Sequence, residues 1–286
     1  MTTTLHTAGI VGVGLIGGTM AMAIKDHTPL TVFGWDRDPE TLKAALAEGA
    51  IDSAQGRLED CDILLIALYP KDTVDFVKEH AQQIRPGTLL VDLCGIKRYL
   101  CQELSPFCKE RGIRYVGGHP MSGRETSGFA SAKREMYRGA SIVLTPDGYT
   151  DPQAVDQAEE FFLSLGFGRV VRTTPEKHDE IIAYTSQLAH VLSSSYIQNP
   201  LACQFSGFTG GSFQDLTRVS RLNCQMWGEL FDRNQDMLCN QLDLLIEKLI
   251  DYKKALRGHD HEELNRLMEH GTAIKNQLLH ELNNAE

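Results

Sequence analysis

The chain has 286 residues, 42% of them hydrophobic and 23% charged, enough for one large or two ordinary domains with cores of their own. Lys and Arg number 28 against 38 Asp and Glu, and the formal charge of −10 argues against a general binder of nucleic acid or of anionic membranes, which needs a basic surface. The seven cysteines are scattered, with no CxxC pair and no Cys/His cluster at zinc-ligand spacing, which fits reduced thiols and points to no metal site.

Residues 1–7 have neither the basic stretch nor the apolar core of a secretory signal, and no apolar run reaches membrane-spanning length, so a cytoplasmic location away from membranes is expected. Residues 8–11 then read as a buried strand, followed by Gly12-Val13-Gly14-Leu15-Ile16-Gly17-Gly18 and a helix to about Lys25. Gly12, Gly14 and Gly17 have the spacing of a dinucleotide fingerprint. The first glycine turns the chain, the second admits a pyrophosphate to the backbone, and the third lets helix and strand pack closely. Leu15 and Ile16 open the helix, whose N-terminal amides and dipole favour phosphate. A second strand, residues 30–35, ends in Asp36. An acid there hydrogen-bonds the ribose hydroxyls and repels a 2′-phosphate, so NAD is expected rather than NADP, with the adjacent Arg37 softening the preference.

The alternation continues. Asp38 is a suitable N-cap for a helix over residues 39–48, with Gly49 just past its end. Residues 62–68 form a continuous apolar run, as in a strand covered on both faces. A helix over 74–84, a turn at Pro86-Gly87 and a strand over 89–92 follow. Residues 93–97 lead into another helix, and Lys97 there reads either as a source of positive potential or as a solvated helix-start lysine. A short strand over 114–116 precedes Gly117-Gly118-His119-Pro120-Met121-Ser122-Gly123-Arg124-Glu125-Thr126-Ser127-Gly128. This stretch is expected to be a stiffened turn that presents His119 to the crevice at the strand ends, although a solvated loop histidine would look the same. Strands over 141–145 and 169–172 flank a helix over 152–165. The βα alternation predicts an α/β fold with a Rossmann-type, doubly wound, mainly parallel sheet over residues 1-173. From Pro175 onward only helical periodicity remains: one helix to about Gln198, then helical patterns over 212–256 and 262–282. Residues 174-286 are therefore expected to form an all-α domain, with more apolar periodicity than it can bury alone, which suggests a homodimer.

Taken together, Gly12 to Gly18, Asp92-Leu93-Cys94-Gly95-Ile96-Lys97, the His119 stretch, Thr185-Ser186-Gln187-Leu188-Ala189-His190, Gly210 to Arg218 and Met226 to Asn234 occur in the order seen in the prephenate/arogenate dehydrogenase family, which the chain resembles over nearly its whole length. The resemblance implies NAD(P)-dependent oxidative decarboxylation of prephenate or arogenate in tyrosine biosynthesis, and a helical dimerisation domain. It implies that His119 removes the proton of the substrate's C4 hydroxyl, a task that suits a neutral imidazole. It makes Arg218 the clamp on a substrate carboxylate, where the residue alone would equally suit a helix-surface ion pair. His190 and Ser122 are expected near substrate by the same resemblance; His190 would equally suit an interhelical histidine, and Trp227 suits packing.

Two positions depart from the family pattern. Many members have a serine where this chain has Gly95, expected beside nicotinamide and the substrate hydroxyl. Many have a histidine where this chain has Gln187, which can hydrogen-bond substrate but cannot titrate. These departures leave open an NAD-binding sensor or an inactive homologue, against which the retained His119, Arg218 and glycine fingerprint count. A β-hydroxyacid dehydrogenase would carry a lysine on the first long helix of its second domain, and residues 181–198 contain none.

Overall fold

The computed structural model describes residues 5–123, 126–204 and 207–283; Arg124 and Glu125 of the histidine stretch, and the first four residues, lie outside the described residues. Seven strands are found among the described residues: β1 (Thr7–Val11), β2 (Thr31–Trp35), β3 (Ile63–Ile66), β4 (Leu89–Asp92), β5 (Arg114–Pro120), β6 (Ser141–Thr145) and β7 (Arg169–Arg172). They form one sheet in the order β2-β1-β3-β4-β5-β6-β7. Pairing is parallel throughout except between β5 and β6. The helices α1 (Leu15–His27), α2 (Pro39–Ala47), α3 (Pro70–His80), α4 (Arg98–Glu110) and α5 (Pro152–Ser164) are interleaved with the strands.

Strand side chains alternate between faces, and this builds two cores. Ile63, Leu65, Leu89 and Val91 join one cluster, with Met20 and Ile24 of α1 and Phe161 and Phe162 of α5. Leu64, Ile66 and Leu90 join the other, with Val74 and Val77 of α3 and Leu100 and Leu104 of α4. Because helices cover both faces, β3 and β4 are apolar along most of their length, as the sequence suggests.

The largest local difference from the sequence reading is at β5. The strand does not stop at Val116 but runs on through Gly117, Gly118, His119 and Pro120, paired with Thr145, Leu144, Val143 and Ile142 of β6. Gly-Gly and Pro read locally as turn formers. Here the glycines serve close packing instead: a Cβ on Gly117 would lie 2.4 Å from Thr145 Oγ1, and one on Gly118 would lie 2.8 Å from Val91 Cγ1. Pro120 is tolerated because it is the last residue of the strand. His119 therefore sits on a strand, paired there with β6, rather than on a loop.

After β7 the described chain is helical: α6 (Pro175–Ile182), a π-helical stretch over Ala183–Gln187, α7 (Leu188–Ile197), α8 (Gly211–Thr217), α9 (Cys224–Arg233), α10 (Gln235–Arg257) and α11 (His261–Asn283). The single helix expected from 175 to 198 is thus interrupted by one wide turn. By packing, the chain divides into two compact units, Met1–Gln235 and Asp236–Glu286. The first contains the sheet together with α6 to α9. The second, α11 and nearly all of α10, exposes Leu244, Leu249, Leu256, Ile274 and Leu278. No helix among the described residues is long and apolar enough to cross a membrane.

Candidate active site

The strand order reverses between β1 and β3, which opens a crevice at their carboxyl ends. Gly12 follows β1 with φ +85°, and a Cβ there would lie 2.6 Å from the Ala67 carbonyl oxygen. Gly17 is more tightly constrained: its Cβ would fall 2.0 Å from the Gly12 carbonyl oxygen. At Gly14 nothing lies within 4 Å, so the backbone there is open to a ligand. Leu15 and Ile16 begin α1, which among the described residues has no side-chain cap and no acid in its first turn. Asp36, just past β2, accepts the Val13 N–H at 2.8 Å through Oδ2 and the Asp38 N–H at 3.0 Å through Oδ1. It thereby fixes the glycine turn, and each oxygen keeps a second acceptor site for a ribose hydroxyl. Arg37 beside it is exposed. A tight turn, an open backbone at Gly14, an uncapped helix start and an acid after β2 together fit a dinucleotide.

His119 is half-buried at the carboxyl end of β5. Its Nδ1 lies 2.9 Å from Nε2 of His178, and Nδ1 of His178 lies 2.7 Å from Oδ1 of Asp179. Both partners are buried in the first turns of α6, a helix started by the Thr174 cap and Pro175. Asp179 also accepts the backbone N–H of Lys97 at 2.7 Å and that of Arg98 at 2.9 Å. It serves as the carboxylate cap of α4, supplied from another helix. Burial, followed by the neighbouring His178 and the positive charge of Lys97, holds the His119 imidazole well below the ordinary histidine range. Burial also lowers His178, against the opposing hydrogen bond to Asp179. Both rings are therefore neutral near pH 7, the form that can accept a proton.

Beneath His119 lies a buried polar cluster. Lys97 forms an ion pair with Asp92 Oδ1 and donates to the Gly118 carbonyl at 2.6 Å. Tyr115 donates to Asp92 Oδ2 at 2.6 Å, and the Cys94 N–H donates to Oδ1 at 3.0 Å. Lys97 is thus not a solvated helix-start residue: it is fully buried and holds the carbonyl of the residue preceding His119. The sequence reading missed His178, Asp179 and the Asp92–Tyr115 pair. The signal was present as adjacent His and Asp at a helix start and as an Asp closing a strand, but their partners are distant in the chain.

Gly95 faces His119 from the other side. A Cβ at Gly95 would lie 3.7 Å from His119 Nε2 and 3.6 Å from Leu230 Cδ2. Gln187 is buried at the end of the π-helical stretch, with both ends of its amide engaged inside the protein. Nε2 donates to the Leu230 carbonyl at 3.2 Å, and Oε1 accepts from Asn234 Nδ2 at 2.9 Å. Asn234 in turn donates to the Asp179 carbonyl at 3.0 Å and accepts from Arg98 at 2.9 Å. Ser122 Oγ donates to the Met136 carbonyl at 2.8 Å. His190 is half-buried, with Nδ1 2.9 Å from the Ser186 carbonyl and its ring 3.9 Å from that of Trp227. Arg218 is exposed just past the end of α8. The fold therefore gathers His119 and Gly95 at one point, with Gln187 reaching it through Leu230 and Asn234.

Comparison with known proteins gives one answer over most of the chain. The family description "Prephenate dehydrogenase, nucleotide-binding domain" matches residues 20–171, and "Prephenate dehydrogenase, dimerization domain" matches residues 174–270. Prephenate dehydrogenase of Bacillus subtilis is 29% identical over 271 residues, covering 90% of this chain and 72% of that protein. Cyclohexadienyl dehydrogenase of Zymomonas mobilis is 26% identical over 275 residues and is covered to 92%, as is this chain. Among solved structures, prephenate dehydrogenase from A. aeolicus, in complex with hydroxyphenyl propionate and NAD+, has a TM-score of 0.85 at 24% identity, over 98% of this chain and 100% of that one.

Proposed function

The chain belongs to the prephenate dehydrogenase family, and from that premise we propose how its own residues carry the reaction. The activity is that of an NAD-dependent prephenate or arogenate dehydrogenase, an oxidative decarboxylation on the route to tyrosine. The observation that carries the assignment of the base is the position of His119: neutral, half-buried at a strand end, with Nε2 facing Gly95.

The substrate carries a hydroxyl and a hydrogen on ring C4. Bound nicotinamide supplies the acceptor for the hydride that leaves C4. His119 takes the hydroxyl proton as the C4–O bond becomes a carbonyl. The bond to the ring carboxylate then breaks, its electron pair moves through the ring to the C4 oxygen, carbon dioxide leaves, and the ring becomes aromatic. The oxygen then takes a proton, which His119 can return, restoring the neutral imidazole. Arg218 is the clamp for a substrate carboxylate, with His190 and Ser122 as further binding groups. Gln187 acts on the site through Asn234 and Leu230.

Gly12, Gly14, Gly17, Leu15 and Ile16 hold the dinucleotide phosphates, and Gly95 lies beside the nicotinamide. Asp36 favours NAD over NADP, moderated by Arg37. By function we divide the chain into a dinucleotide-binding part, 1-173, and a substrate-binding and dimerisation part, 174-286. This division cuts across the packing units, because α6 to α9 belong to the same compact unit as the sheet. The exposed apolar residues of α10 and α11 fit a homodimer, and the setting is the cytoplasm. Steady-state assays with prephenate and with arogenate, each with NAD and NADP, test the reading. Carbon dioxide and reduced NAD are expected in equal amounts from at least one substrate; no turnover of either would overturn it.

A further inference from the structure

We infer that His178 is a positioning residue: with Asp179 behind it, it holds His119 in the tautomer protonated on Nδ1 and so makes Nε2, on the Gly95 side, the proton-accepting atom. The inference rests on His119 being the base, and it adds which nitrogen acts and what selects it.

The argument starts from Asp179. Its Oδ1 accepts from the Lys97 N–H and faces His178 Nδ1; its Oδ2 accepts from the Arg98 N–H and, at 3.4 Å, from Arg98 Nε. A carboxylate surrounded by donors on both oxygens has no donor of its own to offer. His178 must therefore carry its proton on Nδ1, and in the neutral ring Nε2 is then a bare acceptor. That nitrogen is 2.9 Å from His119 Nδ1, a separation that requires one hydrogen between the two. It can come only from His119, which leaves His119 Nε2 with its lone pair. Gly95 provides no Cβ on that side; one built there would lie 3.7 Å from Nε2 and 3.6 Å from Leu230 Cδ2.

The alternative is a doubly protonated His178 donating to His119. The charged groups around the pair are Asp179 on α6, Lys97 and Arg98 at the start of α4, and Asp92 at the end of β4. Lys97 and Asp92 form a buried ion pair. Burial, aided by Lys97, outweighs the Asp179 hydrogen bond and the charges of Asp179 and Asp92 and holds His178 below the ordinary histidine range, so the neutral form prevails near pH 7. When His119 accepts a proton on Nε2, its Nδ1–H is already aimed at His178, and the aligned Asp179–His178 pair stabilises the imidazolium without a second proton moving.

The test is 15N NMR of the full-length protein labelled at histidine, read together with kinetics. In the wild type, His119 Nδ1 should have the shift of a protonated nitrogen and Nε2 that of a bare one. Asp179→Asn can place an amide donor against His178 Nδ1, which reverses both rings. His119 Nε2 should then carry the proton, and kcat should fall by roughly 10²–10⁴-fold with cofactor affinity unchanged. Because Asp179 also caps α4, His178→Ala is the second variant. It should leave His119 in a mixture of tautomers and lower kcat about tenfold. Wild-type protein protonated on His119 Nε2, or an unchanged His119 tautomer in both variants, would overturn the inference. Failure of the base assignment is a separate result, seen as full activity in His119→Asn whatever the tautomer.

Discussion

The Asp179 carboxylate accepts the backbone N–H of Lys97 at 2.7 Å, joining residues 82 positions apart. The contact links the start of α4 to the second turn of α6. Above it stands His178, with His119 against its far nitrogen. On the other side Lys97 turns its ammonium to Asp92 and to the carbonyl preceding His119. The imidazole is therefore fixed through its ring and through its backbone by groups that converge on one helix start. This explains how a histidine beside two glycines and a proline is held still.

The first expectation concerns pH. Only neutral His119 accepts a proton, so the rate should fall as pH drops through its pKa. Burial, His178 and Lys97 lower that pKa, which places the acid limb below the ordinary histidine range. His119→Asn should reduce kcat by roughly 10²–10⁴-fold and remove this limb, with cofactor binding nearly unchanged. A pH–rate profile of kcat/KM for both proteins checks it; an acid limb that persists in the variant would assign it to another group.

The second concerns Lys97. Replacing it with Met leaves the Asp92 carboxylate buried without its counter-ion, and loss of one partner of a buried pair costs about 3–5 kcal/mol. Urea unfolding should show that loss, and the double change Lys97→Met with Asp92→Asn should recover part of it. Removing the lysine's charge should also move the acid limb of the remaining activity to higher pH.

The third concerns the cofactor. Asp36→Ser removes the repulsion of a 2′-phosphate and one tie on the glycine turn. The ratio of kcat/KM for NAD to that for NADP should fall by about tenfold or more, since one charged contact is worth roughly 1.4 kcal/mol or more. Equal efficiency with the two cofactors in the unmodified protein would remove Asp36 from this role.

The fourth concerns assembly. Leu244, Leu249 and Leu256 on α10 and Ile274 and Leu278 on α11 are exposed. Large apolar side chains exposed in this number along two helices are usual at an interface between copies. Sedimentation at micromolar concentration should give a dimer, and Leu249→Glu should shift it toward monomer. A stable wild-type monomer would contradict the homodimer.

What could be read from the sequence was local. The glycine fingerprint, Asp36 after a strand, the cap Asp38 and Pro175 in a first helical turn each act within a few residues, and the structure has them where their spacing implies. The end of β5 was misread because pairing with β6 overrode the turn preference of Gly117, Gly118 and Pro120. The partners of His119 could not be read because His178 is 59 positions away and the hydrogen bonds of Asp179 reach back to α4. The two readings of Lys97 could not be separated for the same reason: the Asp92 and Gly118 atoms that satisfy it are brought to it by the sheet.

The last expectation concerns Gly95, where the family pattern has a serine. Gly95 lacks the positive φ that would strain a larger residue, and a Cβ would meet its nearest neighbours at 3.6–3.7 Å, ordinary contact. Gly95→Ala should therefore leave stability within about 0.5 kcal/mol of the wild type, or raise it slightly by restricting the unfolded chain. The added methyl would stand 3.7 Å from the His119 nitrogen assigned as the proton acceptor. Many family members carry a serine here, so a Cβ at this position is compatible with a substrate hydroxyl at roughly 2.6–3.2 Å from that nitrogen. Gly95→Ala should therefore keep kcat/KM within about threefold of the wild type, with an unchanged melting temperature and unchanged His119 tautomer. A fall of about tenfold or more would mean that the substrate occupies the position of that Cβ, and that the glycine itself is needed for the proton transfer.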